Sequence, residues 1–249
     1  MTRAFLAIAF NVAVLGCWTP TGPEVTRVQA RPGTPTVAIQ PGEHPLGLGA
    51  TRALGLKARR DGTLCIPKSA GSRTSVPQLV LMHGDGQSAE LFRFTFPLAE
   101  ARGIVILALD ARDNTWDGID SPFGPDVVFI DAALQYTFQR VAVDPRRLAL
   151  GGFSDGASYA LSLGLANGDL FTHLVAFSPG FIATPAPPAG RPLIFVSHGT
   201  RDNVHNIDWT SRRIVPRLKG AGYEVTYREF DGPHSPNLIA RDALEWLTR

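Results

Sequence analysis

The chain has 249 residues, 44% of them hydrophobic, and a formal net charge of +2. That length suits one α/β domain with a sizeable core, because two full domains would leave each half small. The charge is close to balance and the arginines are scattered, with no basic run that could track phosphates, which argues against nucleic acid as a partner.

Met1-Thr2-Arg3 forms a short positive start, and Ala4 to Leu15 is an apolar stretch of about 12 residues, the proportions of a secretory leader. A spanning helix would need about 20 apolar residues. Two endings compete. Val14-Leu15-Gly16-Cys17 has the form of a bacterial lipobox, which would leave Cys17 lipidated as a lipid anchor; Val28-Gln29-Ala30 is an acceptable small-residue cleavage site. Export is expected in either case, to the bacterial cell envelope, the periplasm or the medium. Residues 18–50, rich in Pro, Gly and Thr with no apolar period, are expected to form an extended tether after a leader of 1–17 (alternatively 1–30), which leaves 51–249 as the folded domain. With Cys17 in the leader, Cys65 is the one remaining cysteine. It lies in the apolar run Thr63–Ile66 and is expected to be an inert buried thiol.

The domain begins with a strand pair expected between Arg52 and Ile66, turning at Arg60-Asp61-Gly62. Gln78–Met82 is a short, continuously apolar run suited to a strand covered on both faces. A helix is expected over Ser88–Arg102, a strand over Gly103–Leu109 and a helix over Asp126–Arg140, where Asp126 can cap after Pro125. Leu148 begins the next strand, followed by a helix from Ser154 to about Ala166. Strands at Phe171–Phe177 and Pro192–Ser197, a helix from about Asp208 to Gly220, a strand at Tyr223–Phe230 and a helix at Asn237–Leu247 complete the chain. Strands alternating with helices imply a mostly parallel central sheet with helices on both faces.

In such a sheet ligands lie beyond the C-terminal ends of the strands, and several of these ends carry chemistry. The strand at Leu148 runs into Gly152-Phe153-Ser154-Asp155-Gly156, a Gly-x-Ser-x-Gly elbow. A serine on so tight a strand-to-helix turn has strained backbone, with small residues on either side so that neighbouring elements can approach; the following helix aims its N-terminal N–H groups at the same place. This is the arrangement of an acyl-transfer nucleophile. Gln78–Met82 is followed by His83-Gly84-Asp85-Gly86, a loop able to present backbone N–H groups. Pro192–Ser197 leads to His198-Gly199-Thr200-Arg201-Asp202, and Tyr223–Phe230 to Asp231-Gly232-Pro233-His234. Asp208 lies too far into the next helix to rival Asp202 as the acid, and Asp231 belongs to the His234 turn. His83 and His198, each before a glycine, read as structural. Trp116, beyond the strand ending at Leu109, can either wall a substrate pocket or anchor its loop.

With these pieces in view the chain resembles the α/β-hydrolases of the phospholipase/carboxylesterase group, and is similar also to polyhydroxybutyrate-depolymerase-like and feruloyl-esterase-like enzymes. The resemblance rests on Leu81–Ser88, the elbow, His198-Gly199-Thr200-x-Asp202 and Gly232-Pro233-His234, and spans about Leu54 to Leu247. It implies an α/β-hydrolase fold without a large lid domain, since Ser178–Arg191 has no room for one. It also implies a serine hydrolase acting on a small-molecule or accessible polymer ester through an acyl-enzyme, with Ser154 as nucleophile, His234 as base and Asp202 as its orienting acid. The backbone N–H groups of Asp85 and Asp155 would bind the oxyanion, with the Asp85 carboxylate turned away. No cofactor and no metal is implied; the six histidines show no His-Glu-x-x-His spacing. A peptidase or thioesterase could use the same triad. A non-catalytic envelope binding protein would be expected to have lost part of it.

Overall fold

A computed structural model describes residues 25–47 and 61–249. Eight strands form one sheet: β1 (Gly42–Pro45), β2 (Gly62–Ile66), β3 (Val76–Met82), β4 (Val105–Leu109), β5 (Val143–Phe153), β6 (His173–Phe177), β7 (Leu193–Gly199) and β8 (Val225–Phe230). Their spatial order is β1-β2-β4-β3-β5-β6-β7-β8. β1 and β2 run antiparallel to their neighbours, and β3 through β8 are parallel. Every residue of β3 and β4 is buried, as expected of strands covered on both faces.

The side chains of β3 alternate between two cores. Val80 and Met82 point to one, with Val127, Ile130 and Leu134 of α2 (Pro125–Phe138), Ala157 and Leu161 of α3 (Asp155–Ala166) and Ile214 of α4 (Ser211–Gly220). Leu79 and Leu81 point to the other, with Phe96 and Ala99 of α1 (Phe96–Glu100) and Ala243 and Leu247 of α5 (Ala240–Leu247). Helices therefore cover both faces, as the alternation of elements requires.

This order fixes the place of the site. β4 lies on one side of β3 and β5 on the other, so the chain leaves β3 toward one edge of the sheet and β5 toward the opposite edge. A crevice opens between the C-terminal ends of two neighbours whose connections diverge in this way. The loops that border it begin at His83 and Ser154.

Two expectations need correction. Over Ser88–Arg102 the chain forms a 3₁₀ turn at Ala89–Thr95 before the short α1, which starts where Pro97 can occupy the first turn without losing a helical hydrogen bond. The tether reading does not hold for residues 25–47. Val28 is fully buried; its N–H donates to Asn167 Oδ1 at 2.9 Å, and Asn167 Nδ2 donates to the Thr26 carbonyl at 2.9 Å. The Ala30 N–H donates to Asp131 Oδ1 at 2.7 Å, and Arg27 grips both oxygens of Asp169 at 2.9 Å. The segment is a strap that ends as β1, which pairs antiparallel with β2 on the side away from β4; the first half of the strand pair expected between Arg52 and Ile66 lies outside the described residues. The leader, Cys17 and residues 48–60 lie outside the described residues. Cys65 is buried, and burial first, then Glu43 and Glu100, push its thiol up to about 11, as an inert thiol requires.

Candidate active site

Ser154 closes β5 and opens α3 with φ +58° and ψ −118°, a backbone conformation that costs a non-glycine residue on the order of 1–3 kcal/mol. The flanking glycines are what the turn demands. A Cβ on Gly156 would stand 2.0 Å from the Met82 carbonyl oxygen, and one on Gly152 would stand 2.4 Å from Gly156, so any larger residue would drive β5 and α3 away from β3. The Ser154 N–H donates to the Phe177 carbonyl at 2.9 Å, which ties the elbow to the end of β6. Beyond it α3 runs for 12 residues, and its unpaired first N–H groups and positive dipole end face the serine.

The β3 loop meets this elbow from the side. A Cβ on Gly84 would lie 3.1 Å from Ser154 Cβ. The Gly84 N–H donates to Gln87 Oε1 at 3.1 Å, that of Gly86 to the Asn114 carbonyl at 3.0 Å and that of Gln87 to the Gly84 carbonyl at 3.2 Å. Among the described residues the Asp85 N–H has no such partner, and Asp85 is exposed. The Asp155 carboxylate is occupied elsewhere: Oδ2 accepts from the Thr115 hydroxyl at 2.7 Å.

His83 and Trp116 brace the loop from beneath. The His83 Nδ1–H donates to the Gly84 carbonyl at 2.7 Å and its Nε2 accepts the Ala111 N–H at 3.0 Å, a pattern that assigns the neutral ring and supports its structural reading. Trp116 is fully buried, donates from Nε1 to the His83 carbonyl at 2.8 Å, and packs against the rings of His83 and Tyr159. Of its two readings the loop anchor holds. A side chain with no exposed surface does not wall an open pocket.

The acid and the imidazole come together at the ends of β7 and β8. His234 Nδ1 lies 2.5 Å from Asp202 Oδ2. Oδ1 of the same carboxylate accepts the N–H groups of Val204 at 2.9 Å and His205 at 2.7 Å. Burial acts to raise the Asp202 carboxyl, but the bonds from His234 and from these backbone groups outweigh it and hold the group below the usual carboxylate range. Asp202 is therefore ionised and saturated with donors, the state needed to fix one tautomer of His234. Behind it, His198 donates from Nε2 to the His205 carbonyl at 2.8 Å and accepts from the Ser211 hydroxyl at Nδ1 at 2.7 Å. Burial holds this imidazole below its ordinary range, so it stays neutral and props the loop.

The His234 ring lies against the elbow. Its centroid is 4.5 Å from that of Phe153, the residue before Ser154. Among the described residues no hydrogen bond joins the Ser154 hydroxyl to the imidazole; serine, histidine and aspartate are grouped at one rim, with the histidine–aspartate bond formed. Sequence reasoning missed two participants. Gln87 ties down Gly84, and His205 packs its ring 5.2 Å from that of His234. A histidine three residues after the predicted acid was the one available signal for the second. Ser178–Arg191 carries no helix, so no lid is built there.

Neither a protein-family model nor a curated protein matches the chain. Solved structures do. The chain is similar to the esterase PE8 at 23% identity and a TM-score of 0.59, covering 76% of this chain and 96% of that one. It is similar to an S-formylglutathione hydrolase from Staphylococcus aureus at 11% identity and a TM-score of 0.66, covering 83% and 98%. A ferulic acid esterase from Anaeromyces mucronatus, solved in complex with ferulic acid, is similar at 17% identity and a TM-score of 0.57, covering 83% and 88%. At these identities the likeness is one of fold, and the fold is the α/β-hydrolase fold.

Proposed function

We propose that this protein is a serine hydrolase of the carboxylesterase type, which cleaves carboxylic esters of small molecules or accessible polymers through an acyl-enzyme. The observation that carries the reading is the 2.5 Å His234–Asp202 pair beside a serine held at φ +58° on a glycine-flanked elbow. Ser154 Oγ attacks the ester carbonyl as His234 Nε2 takes its proton. The imidazolium then returns that proton to the departing alkoxide, and the acyl group remains on Ser154. Water, deprotonated by the same nitrogen, then attacks the acyl carbon; the bond to Ser154 Oγ breaks as the imidazolium returns the proton to that oxygen, and the acid leaves. The Asp155 N–H at the start of α3 and the Asp85 N–H, which has no other described partner, receive the oxyanion; one such donor is typically worth about 10²–10³ in rate.

The neighbouring solved structures add to this reading as named esterases and hydrolases of the same fold. A fluorophosphonate probe, followed by intact-mass measurement, tests it. Wild type is expected to take up one phosphonyl group, Ser154→Ala none, and the variant to lose the burst on a p-nitrophenyl ester. Labelling that survives in Ser154→Ala would assign the covalent chemistry to another residue.

Export with a lipid anchor at Cys17 belongs to the same proposal and rests on residues 1–30. The burial of Val28 and Ala30 favours the Cys17 ending over a cut after Ala30, which would remove both side chains from the strap.

A further inference from the structure

We propose that His205 is a positioning residue for His234, a ring wedged between the catalytic imidazole and the loop after β6; this rests on the esterase reading above. The backbone of His205 is fixed at both ends of the residue. Its N–H donates to Asp202 Oδ1 at 2.7 Å and its carbonyl accepts from His198 Nε2 at 2.8 Å. The turn that starts at Asp202 therefore returns the His205 side chain to the flank of the ring that Asp202 orients. There the two imidazole centroids are 5.2 Å apart at an interplanar angle of 54°, within the range of packed aromatic pairs. Phe153 packs against the same imidazole at 4.5 Å.

Among the described residues no hydrogen bond sets the place of the His205 ring. Its Nδ1 is buried with no partner among the described residues. What holds the ring is packing against Gly180, where a Cβ would stand 2.7 Å from His205 Cε1 and 3.0 Å from Nδ1. Gly180 is itself anchored, its N–H donating to Ser158 Oγ at 2.9 Å on α3, the helix that Ser154 opens. His205 thus transmits the position of the β6 loop to His234. A ring held by shape rather than by its nitrogens has a distinct signature: an apolar ring should replace it, and filling the space at Gly180 should displace it. His234 Nε2 must serve the nucleophile and the leaving group in turn, and a misplacement of about 1 Å can cost about 10²-fold.

Kinetics on a short p-nitrophenyl ester test this with His205→Ala, His205→Phe, Gly180→Ala and the double variant Gly180→Ala/His205→Ala, each checked for an unchanged melting profile. His205→Ala is expected to lose about 10- to 100-fold in kcat, with KM within about twofold, and His205→Phe to recover most of that loss. Gly180→Ala is expected to lose about tenfold in wild type and little in the His205→Ala background, because there the added methyl meets no ring. Three results overturn the inference while leaving the esterase reading intact: His205→Ala with wild-type kcat, His205→Phe as poor as His205→Ala, or a Gly180→Ala loss of equal size in both backgrounds. Fluorophosphonate labelling that persists in Ser154→Ala overturns the esterase reading and this inference with it.

Discussion

Asp117 and Asp126 form a reciprocal pair beneath the active-site loops. Asp117 Oδ2 accepts the N–H groups of Gly124 and Asp126 at 2.9 and 2.7 Å. Asp126 accepts those of Arg112 and Asp117 at 2.8 and 2.7 Å. Tyr159, whose ring packs at a tilt against Trp116, donates to the other Asp117 oxygen at 2.7 Å. The box pins the chain between β4 and α2, the stretch that carries Trp116 and Thr115. Burial first, and then the Asp117 carboxylate, push Asp126 up to about 7. An unfolded aspartate releases its proton near pH 4, so between about pH 4 and pH 7 the folded chain holds a proton that the unfolded chain lacks. The sign follows: this group's share of stability is complete below pH 4 and is lost as pH rises through 7. Asp126→Asn keeps the shape without the titration, at a constant penalty from turning an amide N–H₂ toward a backbone donor. Urea midpoints at pH 5 and pH 8 should show the variant gaining on wild type as pH rises, by a few kcal/mol at most. Parallel pH profiles for the two proteins would show that Asp126 does not carry the raised proton affinity.

The strap shows what the sequence could and could not reveal about an element. Ser154, Asp202 and His234 were legible because each follows a segment that reads as a strand, apolar before Ser154 and Asp202 and alternating over Tyr223–Phe230 before His234, and strand ends converge by topology. Residues 25–47 have no such run. Their order comes from acceptors supplied by Asn167 and Asp131, more than a hundred residues further along the chain. No local pattern reports a backbone whose hydrogen bonds are made at that distance. His205 was hidden for a related reason, since its role depends on Gly180, which only the folded sheet brings to it. Asn167 is the strap's main fastening: fully buried, it receives the Val28 N–H and donates to the carbonyls of Thr26 and Leu163. Asn167→Ala leaves a buried N–H and a carbonyl without partners, at about 1–3 kcal/mol each. A loss of about 2–4 kcal/mol in urea unfolding is expected, together with faster proteolysis between residues 25 and 41. A variant within about 0.5 kcal/mol of wild type, which is ordinary for a surface change, would mean that the strap contributes nothing to the fold.

For the whole molecule, the sheet order and the short connections together decide how the site meets its substrate. The crevice lies where the β3 and β5 connections diverge, and the connection after β6, the one with most freedom to grow over it, is a Pro- and Ala-rich stretch without a helix. It is also fastened down: the N–H groups of Gly180 and Ala183 donate to Ser158 and Ser162 of α3 at 2.9 and 2.8 Å. A segment held in this way is not built to swing aside at an oil–water boundary, and a closing lid would need an amphipathic helix longer than these residues supply. Exposed Phe181, Val204, Trp209 and Leu238 stand on the loops after β6, β7 and β8, so apolar surface is already presented at the strand ends without any opening step. The rate on p-nitrophenyl butyrate is therefore expected to rise hyperbolically with concentration and to pass through the solubility limit with no upward break. A jump in rate at that limit would mean that an interface opens the site, and would place a moving cover on residues outside the β6–β7 connection.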